Sequence, residues 1–154
     1  MSRTIKVIQT ARDTGDRLTQ KADVVFKADT HGVENNVVNI YPEVEYQDIE
    51  GFGGAFTESA SVTLDKMGRD VRDRILDAYF NPATGLGYTL CRTHINSCDF
   101  STGNYACDEV DGDLDLKFFS LDRDRRSLIP MIRDAMAVKG ADFRLFASPW
   151  SPPA

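Results

Sequence analysis

Tyr88-Thr89-Leu90-Cys91-Arg92-Thr93-His94-Ile95-Asn96-Ser97-Cys98-Asp99-Phe100-Ser101 is the stretch on which the reading of the fold turns. It opens as a β-strand, Tyr88–Thr93, and passes directly into polar and charged residues that begin a long acidic loop from about Asn96 to Asp115. Upstream, Gly51-Phe52-Gly53-Gly54-Ala55-Phe56 reads as a glycine-rich strand ending at Thr57, a side chain suited to cap a helix. Ala60, Leu64 and Met67 follow at helical spacing, and Gly68 breaks that helix. A second helix carries Val71, Ile75 and Tyr79 on one stripe, with Leu76 and Phe80 beside it, and ends at Asn81-Pro82 before Gly85 and Gly87 turn the chain. Downstream, Leu128, Met131, Ile132, Ala135 and Met136 mark a third helix, with Gly140 placed to cap its C-terminus. Pro130 must then lie in that helix's first turn, or else kink it. Phe143–Ser148 forms a last strand running into Pro149-Trp150-Ser151-Pro152-Pro153-Ala154. The order after residue 50 is β-α-β-α-β, which favours parallel strands joined by right-handed crossovers.

The first fifty residues have a different rhythm. β-favouring clusters at Ile5–Ile8, Val24–Phe26, Val37–Tyr41 and Val44–Tyr46 alternate with turn-rich stretches such as Arg12–Asp16 and Asp29–Asn36. That pattern predicts a small antiparallel β unit, with too little apolar surface to stand alone. Three strands with crossover helices are also too few to close a (β/α)8 barrel of about 250 residues, so the chain reads as a piece of a larger protein.

Composition narrows the function. With 18 Lys+Arg against 24 Asp+Glu in 154 residues, the net charge is −6, which argues against a nucleic-acid partner. No apolar run reaches the ~18 residues of a membrane span, and Met1–Lys6 leads into polar residues rather than a secretory core, so a cytoplasmic location is expected. Three cysteines, Cys91, Cys98 and Cys107, with no CxxC pair disfavour a disulfide framework or a zinc knuckle.

Several motifs fail on inspection. The G-x-G-x-x-G fingerprint would need glycine where Phe56 stands, so Gly51, Gly53 and Gly54 read as places of close backbone approach. Asp111-Gly112-Asp113-Leu114-Asp115 begins like a calcium loop, but Leu116 occupies the sharp-turn glycine position and Asp122 that of the closing glutamate. His31 and His94 cannot build a multi-histidine metal site, and no metal or cofactor is expected. His94 suits a core or rim role. No G-x-S-x-G elbow is present, and Asp99 beside Cys98 would raise that thiol's pKa, leaving it unreactive. What remains is Arg92 through Ser101, which sets a cation, a carboxylate and hydrogen-bonding groups past the C-terminal tip of a parallel strand, where α/β folds keep their sites. Trp150, the sole tryptophan, stands at the same end of the last strand. A carboxylate for hydroxyls and an indole for stacking suit a sugar ring; the plainer alternative is an Arg92–Asp99 ion pair and a buried tryptophan.

At these residues the sequence resembles glycoside hydrolase family 30, the glucosylceramidase family. Gly51–Glu58, Arg92–Ser101 and Ala147–Pro153 carry the resemblance, with Tyr79-Phe80 and Gly85-Leu86-Gly87-Tyr88 leading into the second. The resemblance implies an α/β fold, a partial (β/α)8 TIM barrel over residues 49–154 holding the first three barrel strands. It is preceded over residues 1–48 by strands of a small β-sandwich-like side domain. It implies a retaining β-glycosidase acting on β-glucosides or glucosylceramide-like lipids, with a glutamate acid/base and a glutamate nucleophile. Both would lie beyond this chain, which contains no Asn-Glu-Pro motif, so the remainder of the barrel is required and Glu50 and Glu58 take neither role. Asp99 and Trp150 would bind the sugar and Arg92 would brace the site electrostatically. A β-xylosidase or β-1,6-glucanase of the same family is the near alternative; a non-catalytic truncated relic is the distant one.

Overall fold

The computed structural model of the chain describes residues 3–30, 32 and 37–153. His31 and positions 33–36 of the expected Asp29–Asn36 loop lie outside the described residues. Two compact units divide the chain, Met1–Tyr46 and Gln47–Ala154.

The first unit holds four two-residue strands: β1 (Thr4–Ile5), β2 (Ile8–Gln9), β3 (Thr19–Gln20) and β4 (Val24–Val25). β1 pairs antiparallel with β4, Thr4 opposite Val25, and β2 with β3, Ile8 opposite Gln20. Between the two ladders, residues 6 and 7 face residues 21–23, so one extra residue sits on the returning arm. That is the count of a β-bulge, bridged by the Lys21 N–H to the Val7 carbonyl at 2.9 Å. The expected strand Ile5–Ile8 is therefore two strands broken at this bulge. Asp16 folds into the connecting turn, where its carboxylate accepts from Gln9 Nε2, Thr14 Oγ1 and Lys21 Nζ at 2.6, 2.9 and 3.1 Å. Hydrogen bonds from Thr14 and then Lys21 hold its carboxyl below the ordinary aspartate pKa. The strands expected at Val37–Tyr41 and Val44–Tyr46 are absent. β-propensity expresses fit to a half-buried pleat, and here Val38 and Tyr46 are 85% and 88% exposed.

The second unit is a three-stranded parallel sheet in the order β5 (Ala55–Phe56), β6 (Leu90–Ile95), β7 (Arg144–Pro149). Ala55 pairs with Arg92, and Arg92 with Phe146. The glycine segment before β5 also runs beside β6: Thr89 and Leu90 N–H both donate to the Phe52 carbonyl, and Arg92 N–H to that of Gly54. A Cβ on Gly53 would lie 1.9 Å from the Leu90 carbonyl oxygen, so close approach requires glycine there.

Helices α1 (Glu58–Asp65), α2 (Arg69–Phe80) and α3 (Leu128–Met136) supply the second layer. Thr57 caps α1, its Oγ1 accepting from Ala60 N–H at 3.2 Å, while Gly68 and Asn81 bound α2. Pro130 stands in the first turn of α3, where its missing N–H leaves no vacancy in the helical ladder. Gly140, at φ +78°, turns the chain three residues beyond the α3 cap Ala137 rather than capping the helix itself. Phe56, Leu76, Phe80, Cys91, Leu128, Met131 and Ala135 form the buried core. Phe56 and Phe80 stack at 5.5 Å, and Phe143 leans on both. On α2 the buried pair is therefore Leu76 and Phe80; the neighbouring Ile75 and Tyr79 line an open apolar hollow of about 570 Å³ with Ala60, Leu64 and Tyr88.

Candidate saccharide site at the strand tips

The sheet delivers its chemistry at the C-terminal ends of β6 and β7. Ile95 ends β6, and its carbonyl accepts from the Trp150 N–H at 3.1 Å, extending the β6–β7 ladder one residue past β7. This fixes the indole at the sheet rim. Asn96 follows at φ +62°, a left-handed conformation that asparagine tolerates better than most side chains. From there its amide ties three segments together: Nδ2 donates to the Ser151 carbonyl at 2.7 Å, and Oδ1 accepts from Cys107 N–H at 2.9 Å. Ser151 Oγ in turn donates to the Ser97 carbonyl at 2.7 Å.

Asp99 sits at the second position of a tight turn closed by Ser101 N–H to the Cys98 carbonyl at 2.9 Å and by Cys98 N–H to Ser101 Oγ at 3.0 Å. The turn is moored on the N-terminus of α1. Ser59, whose N–H has no partner within the first helical turn, donates it to the Phe100 carbonyl at 2.9 Å. One residue further on, Thr102 N–H donates to Glu58 Oε2 at 2.7 Å.

Arg92, Asp99 and Trp150 converge in space. Trp150 Nε1–H donates to Asp99 Oδ1 at 3.3 Å, and the Arg92 guanidinium lies over the indole, 4.4 Å from the ring centroid. Among the described residues no ion pair joins Arg92 to Asp99; the tryptophan stands between them. Asp99 is exposed and Trp150 is 42% exposed, so the alternative of a buried tryptophan beside a structural ion pair does not hold. The cluster offers an anionic acceptor, an indole with a cation on one face, and open access from solvent.

A second group escaped the motif reading. Arg123 grips the buried Glu58 with two hydrogen bonds, Nε to Oε1 at 2.8 Å and Nη2 to Oε2 at 3.2 Å, and also reaches Thr102 Oγ1 and the Gly103 carbonyl. Burial alone would raise the Glu58 carboxyl, but the Arg123 and Thr102 hydrogen bonds outweigh it and hold the group ionised below the usual range. Arg123 also stacks over Tyr105 at 4.2 Å, and the Tyr105 hydroxyl donates to Asp124 Oδ1 at 2.6 Å. Burial, then that hydrogen bond, pushes the phenol well above its ordinary pKa. Glu58 is thus a buried anion held by a single arginine. The signal that could have found its partner, a lone arginine 65 residues away, is invisible to local patterning. His94 is buried, its Nδ1–H donating to the Asn96 carbonyl at 2.6 Å, while its Nε2 is buried without a hydrogen-bond partner among the described residues. Burial raises the Cys91 and Cys107 thiols, and neither is poised as a nucleophile.

A parallel sheet covered by crossover helices, with a carboxylate and an aromatic at its C-terminal rim, defines an α/β domain that gathers polar groups at its strand ends. The glycosyl hydrolase family 30 TIM-barrel domain matches residues 49–154, and the chain belongs to that family. A putative glucosylceramidase 3 of Caenorhabditis elegans is 42% identical over 120 residues, 77% of this chain and 23% of that protein. The crystal structure of SrfJ from Salmonella typhimurium superposes with a TM-score of 0.77 at 35% identity, covering 99% of this chain and 33% of that one. An endo-β1,6-glucanase superposes at 0.69 with 26% identity, over 90% of this chain and 28% of its own. The chain therefore spans between about a quarter and a third of the length of these relatives.

Proposed function

We propose that this chain is the opening portion of a (β/α)8 glycosidase, with β5, β6 and β7 as the first three barrel strands, and that the whole protein hydrolyses β-glucosidic bonds with retention. The observation that carries the reading is the Arg92–Trp150–Asp99 cluster at the strand tips. Asp99 accepts hydrogen bonds from sugar hydroxyls, Trp150 walls the pocket, and Arg92 holds the indole and adds positive charge. Two glutamates from sequence beyond this chain supply the chemistry. One attacks the anomeric carbon while the other protonates the leaving oxygen, and water then releases the sugar as the second acts as base. Arg92 helps keep the nucleophile ionised, and a raised pKa keeps the acid protonated. The C. elegans relative's name favours a glucosylceramide-like substrate.

Hydrolysis of an aryl β-glucoside tests this. A longer polypeptide that completes the barrel is expected to turn over and to release the β-anomer first, by NMR; the 154-residue chain alone is expected not to. In the longer protein Asp99→Asn should cost roughly 10- to 100-fold in kcat/KM, the worth of a charged hydrogen bond. Robust turnover by the present chain, or an Asp99→Asn enzyme of full efficiency, would refute the assignment. The likeness to an endo-β1,6-glucanase supports a second reading in which the substrate is a β-1,6-linked glucan. Comparing kcat/KM for a β-1,6-gluco-oligosaccharide and for glucosylceramide separates the two.

A further inference from the structure

His94 is 5% exposed and commits one of its two ring nitrogens to a neighbour two residues ahead. A carbonyl oxygen only accepts, so the 2.6 Å contact between Nδ1 and the Asn96 carbonyl places a ring proton on Nδ1. In the neutral ring Nε2 is then a bare acceptor, buried and without a partner among the described residues. Ser148 stands opposite His94 in the β6–β7 register, hence on the same face of the sheet, and its Oγ is buried without a partner too. Orphaned polar atoms at two paired positions carry a cost that leucine or phenylalanine filling the same space would not. Packing therefore does not account for an imidazole here; the bond at Nδ1 does.

The carbonyl it holds belongs to Asn96, whose φ of +62° makes the left-handed turn that ends β6. Both partners of the Trp150–Asp99 hydrogen bond hang from that turn. On one side the Asn96 amide donates to the Ser151 carbonyl at 2.7 Å, and Ser151 directly follows Trp150. On the other, Asn96 leads through Ser97 into the turn that carries Asp99. Ser97 accepts from Ser151 Oγ at 2.7 Å and donates its N–H to the Tyr105 carbonyl at 2.9 Å. The Tyr105 ring meets the imidazole edge-on, centroids 6.5 Å apart and planes at 74°, and braces it.

We propose that His94 is a positioning residue of the saccharide site: its Nδ1–H fixes the Asn96 turn, and that turn sets the approach of Trp150 to Asp99. The inference rests on the proposed glycosidase reading for calling the cluster a saccharide site. The positioning itself concerns only residues of this chain. His94 acts through Asn96, not on the sugar.

Heteronuclear NMR of the isotope-labelled 154-residue chain tests this on two signals. The ring nitrogens of His94 are expected to show a proton on Nδ1 and a bare Nε2, the tautomer that solvent-exposed imidazoles disfavour; a His31→Gln sample tells the two histidines apart. The indole N–H of Trp150, the sole one in the chain, reads the bond to Asp99, and Asp99→Ala marks its position when that bond is gone. His94→Asn, whose side-chain N–H can stand in for Nδ1–H, is expected to keep the indole signal at the parent position. His94→Gln offers its amide at the place of Nε2, and His94→Leu only fills the space. Both are expected to move the signal toward the Asp99→Ala position and to speed its exchange with solvent about tenfold, as local opening does. A proton on Nε2 alone in the unaltered chain would overturn the proposal without any variant. So would an indole signal unmoved by both His94→Gln and His94→Leu, or one that His94→Asn moves as far as they do, since the imidazole would then serve by shape. Should both signals behave as expected while Asp99→Asn leaves hydrolysis by the longer protein untouched, the positioning stands and the glycosidase reading alone falls.

Discussion

At the scale of single residues, the position of Asp99 depends on a group two segments away. Its turn hangs on α1 through Ser59 and Thr102, and Thr102 is held by the carboxylate that Arg123 neutralises. Replacing Arg123 by methionine keeps a long side chain yet leaves Glu58, 7% exposed, without its cation. The expected loss is about 3 kcal/mol, because a buried ion deprived of its partner costs more than the pair contributes. Urea denaturation measures it, and the pair Glu58→Gln/Arg123→Met should recover part of the deficit. A single Arg123→Met variant as stable as the parent would show the clamp to be idle. Asp99 and Trp150 themselves were legible from sequence because both lie within short segments at strand ends. The clamp was not, since a contact between positions 58 and 123 has no local signature.

Elements were legible where periodicity and end signals agreed. Thr57, Gly68, Asn81 and the first-turn Pro130 mark helix ends that the structure respects. Both long strands begin and end later than their apolar residues suggest: β6 extends to Ile95 and β7 to Pro149, since pairing between the two strands continues after hydrophobicity stops. Residues 37–46 failed for the opposite reason, apolar side chains with no neighbouring strand to pair with among the described residues. The acidic loop expected to end near Asp115 continues to Arg123, before a short 3-10 turn at Asp124–Arg126, held by long-range hydrogen bonds that polarity cannot foretell. Gly53 is the sharpest element-level test. Alanine there meets the backbone of Leu90, which cannot retreat without breaking the β5–β6 pairing. Gly53→Ala should cost about 3 kcal/mol, at the upper end for overpacking, whereas Gly112→Ala should be limited to the penalty of its positive φ, as nothing lies within 4 Å of it. Equal thermal midpoints for the two variants would contradict this.

For the second unit taken whole, the sheet ends, among the described residues, at two unpaired edges, β5 and β7, and the hollow over Phe56, Ile75 and Tyr79 is open. Edges and apolar hollows of this kind invite pairing with other chains. The 154-residue chain is expected to self-associate, with a weight-average mass in sedimentation equilibrium rising above 17.2 kDa as concentration increases. A mass constant at 17.2 kDa across micromolar concentrations would count against the partial-barrel reading.

The single indole gives the molecule a built-in optical reporter. With its N–H engaged by a carboxylate and a guanidinium on its face, Trp150 emission reads the state of the β6–β7 rim and nothing else in the chain. Far-ultraviolet dichroism averages both units, so a gap between the two unfolding curves would give the free-energy difference between local loosening of the rim and collapse of the remaining secondary structure.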